Sequence, residues 1–224
     1  MPETQASWFD KIADFFRKLF GGGDPSTPKP PTPTPPNPPT PPPVTARFIA
    51  VDAGHGGHDT GAINNQVGIN EKTITLAISQ KLKKVLEDRG QRVRMTRSDD
   101  TFIELSRRAE IANTAGVEIF VSIHCNSAET PTAAGIESYH HTNATTGKVL
   151  ATKIHEKVMA AFPAHANRGV KSANFVVLKE TQMPACLIET EFISNHQQAQ
   201  FLKDPANQQK MAVAIADGIA AYFR

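Results

Sequence analysis

Histidines and carboxylates suited to holding a metal occur in three short polar clusters of the chain. The first is the glycine-rich GHGGH with His55, the second is NEK with Glu71, and the third is SIHCN with His124. Two imidazoles and one carboxylate match a catalytic zinc site, where three protein ligands leave the fourth position open. Each residue alone also has an ordinary explanation, since a glutamate at a helix start favours the helix dipole. The residue pattern does not show that the three converge.

A fourth cluster, CLIETEFISN, places Glu189 and Glu191 in an apolar segment. A buried carboxylate is costly unless it is paired or functional. Hydrolysis at a zinc site needs a general base that takes a proton from water and returns it to the leaving amine. Alternation along a strand predicts that both glutamates lie on the same face. Spacing alone therefore leaves both as candidates for the base.

Strands and helices alternate from Arg47 onwards. The predicted strands span residues 48–51, 92–95, 119–123, 135–140, 175–178 and 186–192. The predicted helices lie between the cap Asn70 and Gly90, and at 104–115, 148–162 and 208–223. This order predicts an α/β fold with a largely parallel central sheet. In such sheets functional groups gather beyond the carboxyl ends of strands, where the polar clusters occur.

The first 45 residues differ in composition from the rest. Apolar residues recur at helical spacing between Ser7 and Phe20, which predicts an amphipathic helix within residues 1–23. Twelve of the 17 prolines fall in residues 24–45, a predicted semi-rigid linker. The catalytic domain is predicted at 46–224. We expect the helix to dock on a protein partner or a membrane surface, and its mixed charges favour the protein.

Composition excludes several classes of protein. A net charge of +2 is too small to indicate a nucleic-acid-binding protein. No segment approaches the ~20 apolar residues of a membrane span. The two cysteines, Cys125 and Cys186, cannot form a disulfide scaffold, and we expect two free thiols in the core.

Residues 48–223 carry, in order, VDAGHGG, NEK, MTRSDD, LSRRAEIAN, FVSIHCNS and IETEFISN. This series resembles the zinc-dependent N-acetylmuramoyl-L-alanine amidases of the amidase-3 type. The resemblance implies a twisted, mainly parallel sheet flanked by helices, and hydrolysis of the amide between N-acetylmuramic acid and L-alanine in peptidoglycan. It implies Zn²⁺ ligands at His55, Glu71 and His124. It selects Glu189 as the general base and acid, because the family's catalytic glutamate precedes the FISN phenylalanine by three positions.

Two features of this sequence differ from members of that family. His58 is an additional imidazole near His55, and we expect it to support the site or lie on the surface rather than bind metal. Division amidases of the family often carry a helical insertion that blocks the site. The segment between His124 and Glu189 is filled by predicted strands and one helix, so we expect no such plug.

Alternative functions are a zinc peptidase that cuts the stem peptide, or a wall-binding module without activity. Zinc content and the products of wall digestion distinguish them. The substrate implied by the resemblance lies in the cell wall, yet no Sec or twin-arginine signal is visible. We therefore expect delivery by a holin, as for a phage endolysin, by an injection apparatus, or by another non-Sec route.

Overall fold

The structure is a computed structural model that describes residues 45–224, together with Phe15 and Lys18, both helical. The predicted helix within 1–23 and the linker at 24–45 otherwise lie outside the described residues. Their boundaries therefore stay predictions. Within the described part of the chain, no helix is both long and apolar enough to span a membrane.

Eight strands and six helices form between Phe48 and Tyr222 in the described residues. The strands are β1 Phe48–Ala53, β2 Ile63–Asn64, β3 Ile69–Asn70, β4 Arg92–Met95, β5 Ile119–Asn126, β6 Ile136–His140, β7 Asn167–Ser172 and β8 Ala185–Phe192. The helices are α1 Glu71–Asp88, α2 Leu105–Ala115, α3 Thr145–Ala161, α4 Val176–Lys179, α5 His196–Lys203 and α6 Pro205–Tyr222.

Six of the strands form one mixed sheet in the order β4-β1-β5-β8-β6-β7. Neighbouring strands pair in parallel except β6 and β8, which are antiparallel. The predicted mainly parallel sheet is thus confirmed. Because β4, β1, β5 and β8 run the same way, their carboxyl ends meet at one edge of the sheet. The sequence clusters that follow β1 and end β5 lie at this edge.

Helices cover both faces of this sheet. Side chains of β1 alternate, so that Ile49 and Val51 enter a large core cluster with α1, α3 and α6, while Ala50 enters a smaller one. The smaller cluster includes Ala112 of α2 and Leu178 of α4. The expected helix–sheet–helix layering is confirmed.

The helix α1 shows why the local sequence folds as it does. Asn70 caps it by accepting a hydrogen bond from the Thr73 backbone N–H. Its apolar residues recur every fourth position and are buried: Ile74, Ile78, Leu82 and Leu86. This packing fixes the first turn, and therefore Glu71, relative to the sheet.

The predicted strand at 175–178 is wrong. These residues enter the short helix α4, in which the Leu178 and Lys179 amides donate to the Phe175 carbonyl. A four-residue apolar run does not reveal its conformation, because burial of Val177 and Leu178 suits either structure. The edge strand β7, the β2–β3 hairpin and α5 were not predicted.

Candidate metal centre and active site

His55, Glu71 and His124 converge at the carboxyl-terminal edge of the sheet. His55 lies just after β1, Glu71 begins α1, and His124 lies near the end of β5. One potential ligand atom from each residue lies within 4.8 Å of those of the other two. The three residues selected from the sequence therefore form one group.

Glu71 is the centre of this group. Its Oε1 lies 3.0 Å from His55 Nε2 and 3.0 Å from His124 Nδ1. Burial raises the pKa of this carboxyl, but hydrogen bonds and charge attraction from the two imidazoles outweigh burial and lower the pKa well below its usual range. Glu71 is therefore ionised and attracts positive charge to this point.

The pKa values of the two imidazoles shift upwards, opposite to that of Glu71. Burial lowers the pKa of His55 and of His124, but the hydrogen bond and charge of Glu71 raise both above the ordinary value. The rings meet edge to face, with centroids 5.0 Å apart. A divalent cation would neutralise the charge of the same carboxylate without protons on the imidazoles. Imidazole nitrogen and carboxylate oxygen are ligands that zinc accepts. The residues present thus fit a zinc ion.

His55 is oriented by its own loop. Its backbone has φ of 62°, a left-handed conformation uncommon for a residue with a side chain. Its Nδ1 lies 2.8 Å from Asp59 Oδ2, which leaves Nε2 directed at Glu71. A carboxylate behind a histidine commonly fixes the tautomer of a metal ligand. Asp59 is a contributor that the sequence analysis did not identify.

His58 lies apart from this group. Its ring packs against Phe102, with centroids 4.1 Å apart. Among the described residues, the ligand group contains only His55, Glu71 and His124. The expectation that His58 is not a ligand stays a prediction.

Two buried arginines hold the loop that carries His55. Arg97 donates from Nη2 to the Gly54 carbonyl at 2.7 Å and to the Lys72 carbonyl at 2.8 Å. Arg108 donates from Nη2 to the His55 carbonyl at 2.7 Å. Both arginines lie in sequence motifs quoted above, MTRSDD and LSRRAEIAN, but the sequence assigned them no role. Since the contacts that hold this loop are to backbone carbonyls, only the folded chain reveals them.

Gly54 permits the close approach of His124. A Cβ at Gly54 would lie 2.4 Å from His124 Cε1, a distance that requires displacement. We expect Gly54→Ala to move the ring and weaken zinc binding by about 10- to 100-fold, the usual cost of disturbing support around a ligand. Zinc titration against a chelating dye measures the change.

Gly116→Ala is the matched control for that substitution. Gly116 has φ of 66° and nothing within 4 Å of an added Cβ. The substitution Gly116→Ala should cost about 1 kcal/mol of folding free energy through backbone strain and leave zinc affinity unchanged. Equal zinc affinities in Gly54→Ala and the parent protein would contradict the packing argument.

Glu189 lies beside the ligand group. It pairs in register with His124 across β5 and β8, and its Oε2 is buried without a hydrogen-bond partner in the described residues. Burial raises the pKa of Glu189 to about 7; Glu71 and Glu137 act in the same direction, while His124 and His55 oppose it. A carboxyl group that titrates near neutrality is suited to accept and then return a proton.

Glu191 does not share the surroundings of Glu189. His124 pairs with Glu189 but Asn126 pairs with Phe192, so β8 contains an additional residue at this point. Glu191 is fully buried and accepts from the Gly135 amide at 2.8 Å and from His165 Nδ1 at 2.8 Å. The predicted common face is therefore wrong, because a β-bulge interrupts the alternation.

Cys125 and Cys186 are free and buried in the large core cluster. This confirms the expected core thiols. Burial raises the pKa of both thiols, and in Cys125 the charges of Glu71 and Glu189 add to the shift. Neither side chain belongs to the His–Glu–His group.

An α/β domain with a His–Glu–His group and a buried carboxylate at the carboxyl ends of its strands is typical of metal-dependent hydrolases. A family model described as N-acetylmuramoyl-L-alanine amidase matches residues 49–221. The chain belongs to this family and is a peptidoglycan amidase.

Named relatives and solved structures agree with the family. The amidase LytC of Bacillus subtilis (strain 168) is 39% identical over 184 residues, covering 81% of this chain and 36% of LytC. The endolysin of Bacillus phage SPP1 is 39% identical, covering 78% of this chain and 65% of the endolysin. The catalytic domain of the amidase CwlV from Bacillus (Paenibacillus) polymyxa superposes with a TM-score of 0.75 at 36% identity, covering 79% of this chain and 98% of that domain. The match thus spans about a third of LytC but nearly all of the CwlV catalytic domain.

Proposed function

We propose that this chain cleaves the amide bond between N-acetylmuramic acid and L-alanine, with Zn²⁺ held by His55, Glu71 and His124 and with Glu189 as general base and acid. The observation that carries the proposal is the convergence of three ligand atoms within 4.8 Å beside an unpartnered buried oxygen of Glu189. Family membership supplies the substrate class.

When bound, zinc would supply Lewis-acid polarisation of the scissile carbonyl and would acidify water. Glu189 Oε2 has a free acceptor site and would take one proton from the attacking water. It would then give that proton to the nitrogen of L-alanine as the C–N bond breaks. Because the pKa of Glu189 is raised to about 7, the group can serve in both directions near neutral pH.

The neighbouring residues would prepare the ligands for the metal. Asp59 would accept from Nδ1 of a neutral His55, so that the Nε2 lone pair would face the metal. The Ala62 amide donates to Glu71 Oε2 at 3.1 Å, which holds the carboxylate with Oε1 towards the imidazoles. Arg97 and Arg108 keep the loop after β1 in place through its carbonyls.

The products of digestion test this function. Purified peptidoglycan should release sugar-free stem peptides that begin with L-alanine, and a chelator should prevent their release. A zinc peptidase would instead leave L-alanine on the sugar, and an inactive wall-binding module would release nothing. Mass analysis of the soluble fraction distinguishes these outcomes.

We further propose that residues 1–45 serve delivery and not cleavage. The metal-ligand candidates and Glu189 all lie beyond Arg47, and the described fold of 45–224 contains its own core. The likeness to a phage endolysin is consistent with wall lysis after release by a holin. An injection apparatus or another non-Sec route remains an alternative. The helix within 1–23 would dock on a protein partner or a membrane surface, with no role for nucleic acid.

A chain of residues 46–224 should therefore fold, bind zinc and digest soluble wall fragments at nearly the full rate. Residues 1–23 fused to an inert carrier should recruit it to the partner or membrane, and Phe15→Asp with Phe16→Asp should abolish recruitment, since the apolar stripe is lost. Fragment digestion and carrier sedimentation are the measurements. An unfolded or inactive 46–224 chain would place the helix in the catalytic core.

A further inference from the structure

A basic cluster adjoins Glu189 on the side away from the metal ligands. Glu137 of β6 pairs with Glu189 of β8 in antiparallel register, and directly opposed residues point to the same face. The buried Glu137 carboxylate accepts from four side chains. These donors are Asn126 Nδ2, Tyr139 OH, Arg168 Nε and Lys171 Nζ.

The cluster has more positive than negative charge around Glu137. Burial raises the pKa of Glu137, but hydrogen bonds from Lys171 and Arg168 lower it to about 2, so the carboxylate is ionised. Arg168 and Lys171 thus bring two positive charges to one negative charge. Both basic side chains are 39% exposed, whereas that of Glu137 is 3% exposed. The excess charge is therefore presented to solvent.

Arg168 is fixed at one end and open at the other. Its Nε donates to Glu137 at 2.7 Å, and its guanidinium lies over the Phe192 ring, 4.8 Å from the centroid. Its stem packs on Gly135, where an added Cβ would lie 2.8 Å from Arg168 Cγ. Within residues 45–224, no hydrogen bond or ion pair involves Nη1 or Nη2. A preorganised guanidinium with two free amino groups is suited to a carboxylate.

The position of the cluster indicates which part of the substrate it faces. The ligand group lies on the β1–β5 side of Glu189, and the basic cluster lies on the β6–β7 side. If the scissile carbonyl lies at the ligand group and Glu189 protonates the leaving amine, the leaving peptide extends towards Arg168. The sugar lies on the other side of the broken bond.

We propose that Arg168, with Lys171, binds a carboxylate of the stem peptide and so positions the leaving group. This inference rests on the proposed function, since that function assigns the peptide to this side. The stem tripeptide L-Ala-γ-D-Glu-L-Lys offers two carboxylates, one on the second residue and one at the peptide's carboxyl terminus. Both share the chemistry that the guanidinium recognises, and amidation of each in turn separates them.

The test measures binding of the stem tripeptide L-Ala-γ-D-Glu-L-Lys to the zinc-loaded full chain by calorimetry, alone and amidated at either carboxylate. Loss of the recognised carboxylate, or Arg168→Gln, should weaken binding by about 10- to 100-fold, as expected for a charged hydrogen bond. Amidation of the recognised carboxylate and Arg168→Gln together should weaken binding no more than either change alone. Arg168→Lys should be intermediate, because it keeps charge but loses the planar fork.

Arg107→Gln is the control, since Arg107 is exposed and pairs with Glu110 away from the cluster. Lys171→Gln gives a second measurement should Arg168→Gln fail to fold. If Arg168→Gln weakened binding of the charged peptide and of the amidated peptides by the same factor, the proposal would be overturned. Arg168 would then have a structural role. Peptide binding does not depend on cleavage, so product analysis with muramoyl peptides tests the proposed function separately.

Discussion

Glu189→Gln should retain zinc but lose turnover by about 10²- to 10⁴-fold, the usual contribution of a general base. The substitution preserves shape and removes the oxygen that accepts a proton. Since Glu189 is absent from the ligand group, metal content should not change. Metal analysis and the rate of release of stem peptides from wall fragments are the two measurements.

Glu191→Gln is the matched control. Glu191 accepts hydrogen bonds from Gly135, Phe192 and His165, so its loss should lower the free energy of unfolding more than it lowers turnover. Thermal unfolding separates the two effects. A larger drop in turnover for Glu191→Gln than for Glu189→Gln, with the fold intact, would show that the wrong carboxylate has been assigned.

His124→Ala should lose both bound zinc and turnover almost completely. It leaves two protein ligands, fewer than the three that hold a catalytic zinc. Glu71 keeps the Cys125 amide and His55 as partners, so the protein should remain folded. Metal analysis after dialysis and a thermal unfolding curve check these expectations together.

His58→Ala serves as the control for histidine removal. Its ring contacts Phe102 and lies outside the ligand group, so zinc content and turnover should match the parent protein. Full zinc and normal turnover in His124→Ala would refute the metal site. Zinc loss in His58→Ala would show that the ligand set is incomplete.

Local sequence was sufficient for the elements with strong periodicity. The cap Asn70 and the buried residues Ile74, Ile78 and Leu82 define α1 without reference to the rest of the chain. The alternation of such helices with apolar strands predicted the mainly parallel sheet, and it placed the polar clusters at or beside strand ends without showing that they converge. Hydrogen bonds and caps within an element involve residues close in sequence, which is why patterns reveal them.

Family resemblance went further than pattern at the site. It selected His55, Glu71 and His124, and the structure places their ligand atoms within 4.8 Å. It also preferred Glu189 to Glu191, a choice that alternation left open. Composition and spacing do not report how far apart two segments lie in space. They therefore indicated candidate ligands without showing that the candidates converge.

Only the tertiary structure decided which way particular side chains point. The bulge in β8 separates Glu189 from Glu191, and it exists because β8 is paired with β5, a segment far away in sequence. The pairing of β6 with β8 likewise brings Glu137 to Glu189 and creates the basic cluster with Arg168. The sequence therefore determined the strongly periodic elements and the chemical groups they carry, whereas strand register determined which groups meet. Register depends on contacts between distant segments, and a one-residue shift reverses the face of every later side chain in the strand.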